Sequence, residues 1–214
     1  MNMSYDIETI RLDGFVPYGA MYDMQIERRD AVIRGDAPST LFLLQHEPVY
    51  TMGRDSRAGH LLISREECQS RGIQLTHTSR GGDITWHGPG QMVAYPILDL
   101  KAWNFSIRAY LRALEESVIR LLADYDIKAG RIKGLTGVWV GEAKVAAIGV
   151  AVRRWVTWHG LSLNVEPDMQ AYEWIIPCGL VGRPVTSMRE LLGDAPSVEE
   201  VMDQFEDHFR RLVI

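Results

Sequence analysis

Arg80-Gly81-Gly82-Asp83-Ile84-Thr85-Trp86-His87-Gly88-Pro89-Gly90-Gln91 packs four glycines and a proline into twelve residues. Such a run excludes a regular helix, because glycine loses the most backbone freedom on ordering and proline lacks the N–H that a helix interior requires. Glycine also lets a backbone approach a ligand closely, while Arg80, Thr85, His87 and Gln91 carry more hydrogen-bonding groups than a turn needs. Two readings stand: the wall of a pocket, or a glycine-rich connection between two strands.

Both flanks of the run read as strands. Ile73 to Ser79 alternates Ile73, Leu75 and His77 against polar neighbours, and Met92 to Leu98 is an apolar run in which Pro96 marks an edge or a bulge. Further upstream, Ser64-Arg65-Glu66-Glu67 fits a capping box, so a short helix is predicted to about Arg71, stopped by Gly72 and carrying Cys68 as a packing residue. His46 to Arg54 is either a loop beside the pocket or a surface turn with a solvated His46. Leu41-Phe42-Leu43-Leu44 is too short for a helix and reads as a buried strand, preceded by a helix over Tyr18 to Arg34 that ends at Gly35.

Downstream, Ser106 to Tyr125 places apolar residues at i, i+3 and i+4 and is the clearest helix of the chain. Gly137 to Val152 reads as two strands joined at Gly141-Glu142. Lys144 heads the second of them. Two readings of it remain open: a lysine partly desolvated beside an anion, or one at a strand edge whose ammonium reaches water. Val156 to Val165 is a further strand, with small residues at Gly160 and Ser162 that leave room for a ligand, as Gly149 does in the preceding strand. Cys178 sits between Pro177 and Gly179 in a stiff turn, where a thiol either projects from the scaffold or packs as a small hydrophobe. Ser187 to Glu190 and Ser197 to Glu200 repeat the capping pattern, the second opening an amphipathic helix.

No linker or charge block divides the 214 residues, so one domain spanning 1–214 is expected. With 46% hydrophobic residues a core can form without metal or disulfide staples, and Cys68 and Cys178 read as free thiols. A net charge of -5 argues against nucleic-acid binding. The chain has neither an apolar run long enough for a bilayer nor a signal-like start, so a cytoplasmic protein without membrane contact is expected, with no metal site.

Arg80-Gly81-Gly82 with Thr85-x-His87-Gly88-Pro89-Gly90-Gln91, then Gly-Val-Trp-Val with Lys144, then Thr-x-His159-Gly160 with Leu163-Asn164, then Ile176-Pro177-Cys178-Gly179 together closely resemble the lipoyl(octanoyl) transferase family. The match runs from about His46 to Met188 with the motifs in family order. The resemblance implies an α/β fold like that of biotin and lipoate protein ligases, with mixed sheets flanked by helices. It implies transfer of an octanoyl group from octanoyl-acyl carrier protein to a lysine of lipoyl domains, those of 2-oxoacid dehydrogenase E2 subunits and the glycine cleavage H protein, without a cofactor and by a monomer. Cys178 matches the family's acyl-carrying nucleophile and Lys144 the lysine that activates it. Arg80, Gly81, Gly82, Asp83, Ile84, Thr85, Trp86 and His87, with Ala147, Ile148 and Gly149 and with Gly160, Leu161 and Ser162, match its substrate-contacting segments. Trp86 stands where tyrosine is usual and Ser162 where alanine is.

The chemistry suits these residue types. A covalent intermediate lets an enzyme meet a thioester donor and an amine acceptor one at a time, and a thiolate is the natural nucleophile for it. The donor is already activated, so ATP is not required. Lys144 or a nearby histidine is expected to take the acceptor's proton; His87 and His159 read as pocket-wall hydrogen bonders. Arg153, Arg154, Arg131 and Lys133 are candidates for docking acidic partners. Three rivals remain: an ATP-dependent lipoate or biotin ligase, in which Cys178 is dispensable; a non-catalytic module binding acyl carrier or lipoyl domains; and a papain-like hydrolase, disfavoured by the glycines and proline after Cys178.

Overall fold

Leu41-Phe42-Leu43-Leu44 is buried on both faces of its strand, and that sets the layering. The structure is a computed structural model and describes residues 7–213. In chain order the elements are β1 (Ile7–Val16), α1 (Tyr18–Arg34), β2 (Ser39–His46), β3 (Val49–Met52), α2 (Arg65–Ser70), β4 (Gln74–His77), β5 (Ile84–His87), β6 (Gln91–Ile97), α3 (Ile107–Ala123), β7 (Gly130–Ile132), β8 (Leu135–Val140), β9 (Ala143–Arg153), β10 (Val156–Asn164), α4 (Met188–Leu192) and α5 (Val198–Val213). Short 3-10 turns cover Ala58–His60, Met169–Trp174 and Pro177–Gly179.

A seven-stranded sheet runs β1-β2-β6-β10-β9-β8-β7, and a three-stranded sheet runs β4-β3-β5. Both are mixed, with β1 parallel to β2 and β3 parallel to β4 among otherwise antiparallel pairs. Leu41 and Leu43 face α3 and α5, packing with Tyr110, Leu114, Leu121, Phe205 and Phe209. Phe42 and Leu44 face the other way, with Met21 and Val32 of α1 and with Tyr95 and Trp158. A third cluster, built on Tyr50, Ile84, Trp86, Tyr172 and Ile175, lines the small sheet. The result is the α/β arrangement expected from the sequence, with helices on both faces of the large sheet. None of the described helices is long and apolar enough to cross a membrane.

The predicted helices hold, and the serine caps form: Ser64, Ser106 and Ser187 each accept a backbone N–H from three residues on. Three expectations change. His46 is fully buried at the end of β2, and Val49–Met52 is a strand, so the His46 to Arg54 segment is neither a loop nor a solvated turn. A third of the glycine-rich run, Ile84–His87, is itself a strand that pairs with β3. Pro96 lies on an interior strand; the ladder between β6 and β10 runs only from Gln91–Asn164 to Ala94–Leu161, ending before the residue that lacks a donor. β1 was not anticipated: it lacks the continuous apolar run that marks β2, and its second half carries Asp13 and Gly14.

Candidate active site

Pro177-Cys178-Gly179 is a single 3-10 turn, and Cys178 adopts φ 57°, ψ 16°. A left-handed backbone at a residue with a Cβ is held only when its surroundings over-determine it. Here the next residue supplies the reason: a Cβ on Gly179 would stand 2.7 Å from Asp83 Oδ2 and 3.1 Å from His60 Cε1. The turn is thus pressed against the glycine-rich run, and the half-buried thiol is presented at its edge.

Lys144 Nζ donates to Cys178 Sγ at 3.2 Å. The lysine is 6% exposed, which rules out the strand-edge reading in which its ammonium reaches water. Its backbone is fixed on both sides, N–H to Pro184 O and C=O from Thr186 N, each at 2.9 Å. Its ammonium lies 4.8 Å from the Trp139 ring centroid, a cation–π contact that offsets part of the lost hydration. Its stem runs beside Gly137, where a Cβ would meet Ala146 O at 2.7 Å and the lysine Cε at 3.3 Å.

A narrow cavity of about 40 Å³ opens between the two sheets. Cys178 lines it together with Arg80, Gly81, Gly82, Asp83, Thr85 and His87. Ala147, Ile148 and Gly149 line it too, and they pair rung for rung with Ser162, Leu161 and Gly160, which close the same wall. Ile84 and Trp86 do not line it: strand β5 alternates, so Thr85 and His87 face the cavity while Ile84 and Trp86 enter the third core cluster. Gly149 and Gly160 serve close packing of the protein on itself rather than leaving ligand space, since a Cβ at 160 would sit 2.1 Å from Ala94 O and one at 149 would sit 2.9 Å from Gly81 O. Tyr18 at the start of α1 and Tyr95 on β6 also line the cavity. Neither stood out in the sequence, because only tertiary packing brings α1 over the sheet. A larger groove of about 760 Å³, with Phe15, Trp86 and Trp174 in its wall, lies elsewhere and does not include Cys178.

Arg80 is buried and spends its guanidinium on neutral oxygens: Thr51 O at 2.5 Å, Thr51 Oγ1 at 2.9 Å and Gly81 O at 3.1 Å. Its backbone and those of Gly82 and Asp83 bond to residues 53–55, and Gly81 N bonds to Val150 O, so the run is clamped between β9 and the end of β3. Three histidines surround this clamp. Burial pushes the His46 imidazole down to about 4, that of His159 down to about 3 and that of His87 well below its ordinary value. All three are therefore neutral at pH 7. His46 Nδ1 bonds to Val16 O at 2.8 Å as donor, and its Nε2 accepts from Tyr95 Oη at 2.9 Å. His87 Nδ1 lies 2.7 Å from Gln91 Oε1, and His159 Nε2 lies 3.2 Å from Ser79 Oγ while its buried Nδ1 has no partner among the described residues. They act as wall hydrogen bonders, as the sequence led us to expect for His87 and His159.

A mixed seven-stranded sheet with helices on both faces, a smaller three-stranded sheet and a cavity between the two make a fold shared with lipoate and biotin protein ligases. The archaeal bipartite lipoate protein ligase of Thermoplasma acidophilum superposes with a TM-score of 0.72 at 17% identity, covering 97% of this chain and 84% of that one. The biotin protein ligase of Aquifex aeolicus superposes with a TM-score of 0.55 at 14% identity, covering 96% and 68%. Sequence narrows the class. The octanoyltransferase of Solibacter usitatus is 47% identical over 203 residues, 95% of this chain and 91% of that protein. The model of the lipoyl protein ligase A/B catalytic domain matches residues 20–210, and the chain belongs to that family, on the branch of these octanoyltransferases.

Proposed function

We propose that this chain, acting as one domain, transfers an octanoyl group from octanoyl-acyl carrier protein to a lysine of lipoyl domains through a thioester on Cys178. The acceptors are the lipoyl domains of 2-oxoacid dehydrogenase E2 subunits and the glycine cleavage H protein. The observation that carries this reading is the Lys144 ammonium 3.2 Å from a thiol held on a left-handed turn at the mouth of the cavity. Octanoyltransferase relatives at 47% and 44% identity support the acyl group and the transfer.

In the first half-reaction the Cys178 thiolate, paired with the Lys144 ammonium, attacks the donor's thioester carbon. The bond to the carrier sulfur breaks, that sulfur takes a proton from Lys144, and the octanoyl chain rests on Cys178. The chain then lies along the cavity between Ala147–Gly149 and Gly160–Ser162 on one side and Thr85 and His87 on the other. Counted in the same water-sized space at ~10–15 Å³ for each atom, eight carbons need on the order of 100 Å³. The closed cavity is smaller, so the wall yields as the chain enters. In the second half-reaction the acceptor amine attacks the thioester, and Sγ leaves as a thiolate once more paired with Lys144.

Intact-mass measurement after mixing with octanoyl-acyl carrier protein, without ATP, tests this. Wild type is expected to gain one hydroxylamine-labile octanoyl group, Cys178→Ser none, and Lys144→Ala to gain it slowly. Transfer from free octanoate that requires ATP would instead place the chain with the ligases.

A further inference from the structure

The acceptor lysine arrives as an ammonium and must lose a proton before it can attack, and the buried histidines of the cavity are poorly placed for that task. His46, His87 and His159 are at most 6% exposed, and they line or lie behind the wall that the acyl chain occupies. A fourth histidine differs. His60 closes the 3-10 turn Ala58–His60, and its Nδ1 lies 2.5 Å from Asp83 Oδ2, with 16% of its side chain exposed against 7% for the aspartate. Asp83 Oδ1 accepts from Ile84 N at 2.6 Å, so both carboxylate oxygens are committed and the aspartate is fixed in direction. A carboxylate on Nδ1 fixes the tautomer: Nδ1 carries the hydrogen and Nε2 the lone pair. Among the described residues no group hydrogen-bonds Nε2.

The pair adjoins the nucleophile. A Cβ on Gly179 would be 3.1 Å from His60 Cε1, the carbon between the two ring nitrogens, and Asp83 lines the cavity beside Cys178. Two backbone bonds hold this register, Ile176 N to His60 O and Leu62 N to Trp174 O, both at 2.8 Å. A base, an orienting carboxylate and a nucleophile's turn therefore meet in one place.

We propose that His60, oriented by Asp83, accepts the proton of the incoming lysine in the second half-reaction, a role that rests on the transferase reading above. The ammonium proton passes to His60 Nε2, and the neutral nitrogen attacks the octanoyl carbon. As the C–S bond breaks, the second proton of that nitrogen goes to Lys144, which had given one to the carrier sulfur. Lys144 is then again an ammonium beside a thiolate, and His60 releases its proton to water.

The test separates the two half-reactions. Octanoylated wild type and His60→Gln are mixed with a lipoyl domain at pH 7, and amide formation and loss of the enzyme adduct are timed; parallel samples receive hydroxylamine, an amine already neutral at that pH. We expect His60→Gln to form the adduct with normal stoichiometry and to pass it to the lipoyl domain roughly 100-fold more slowly. Cleavage by hydroxylamine is expected to stay within about 3-fold of wild type, and the deficit towards lysine to shrink as pH approaches the amine's own value near ~10.4. Transfer within about 3-fold of wild type at pH 7, or equal losses towards lysine and hydroxylamine, overturns the role of His60, the second result marking a mere support for the turn. Absence of any adduct on wild-type Cys178 overturns the transferase reading itself.

Discussion

The Lys144–Cys178 contact depends on what is missing at position 137. Gly137 has φ 126°, and a Cβ there would press on Ala146 O and the lysine stem. Gly137→Ala is expected to cost about 2 kcal/mol from backbone strain and to slow acylation of Cys178, measured by urea denaturation and intact mass. The buried histidines make a pH prediction. The unfolded chain takes protons near the ordinary histidine value of about 6.5, whereas His46 and His159 stay neutral in the fold down to about 4 and about 3. The unfolded state therefore binds more protons below that value, and stability is full above pH 6.5 and falls as the pH drops. His46 alone accounts for about 3 kcal/mol by pH 4. Imidazole C–H resonances of His46, His87 and His159 are expected to hold still from pH 8 to pH 5; titration of any of them within that range would refute its burial in neutral form.

At the scale of elements, the site is a junction of strand ends. Asn164, the last residue of β10, accepts from Gln91 Nε2 at 2.9 Å and donates to Thr186 O at 3.0 Å. It thereby ties the glycine-rich run to the segment whose backbone clamps Lys144. Tyr172 Oη donates to Asn164 as well, at 3.0 Å, so Asn164→Ala leaves three buried partners with one bond fewer each, and a loss of about 2 kcal/mol is expected in urea denaturation, with slower acylation as the clamp loosens. The two-residue period of a strand is enough to separate Thr85 and His87 from Ile84 and Trp86 once Ile84–His87 is taken as extended. The glycines on either side of it conceal that signal. Pro96 misleads in the opposite direction: the rule that proline avoids central strands fails here because β10 leaves the ladder just before it.

For the whole molecule, charge has to be sorted by what it already holds. Arg131 is engaged: it donates to Glu115, which is 2% exposed, and to Glu116, both at 2.8 Å. Arg131→Ala is expected to cost about 2 kcal/mol by stranding part of a buried carboxylate, whatever it does to partners. Arg153 and Arg154 are exposed at the tip between β9 and β10, where the only ion pair among the described residues is a loose 3.9 Å contact from Arg153 to Asp30. Neutralising both is expected to lower kcat/KM for an acidic carrier protein several-fold at low salt and to flatten its salt dependence, without changing stability. Unchanged kinetics at every ionic strength would remove that surface from docking.

Apolar periods and serine caps, which act over three or four residues, were enough to place the helices and most strands from the amino-acid order alone. The same order marked Cys178, Lys144 and the glycine-rich run as locally unusual but left each with two readings, and only their resemblance, taken together, to the lipoyl(octanoyl) transferase family chose between them. Proximity came only with the folded chain. The 3.2 Å contact, the inward turn of His46, the place of Tyr18 and Tyr95 in the cavity wall and the pairing of His60 with Asp83 all join segments distant in the chain. Local patterns carry no information on such distances; they follow from how two sheets pack across one cavity.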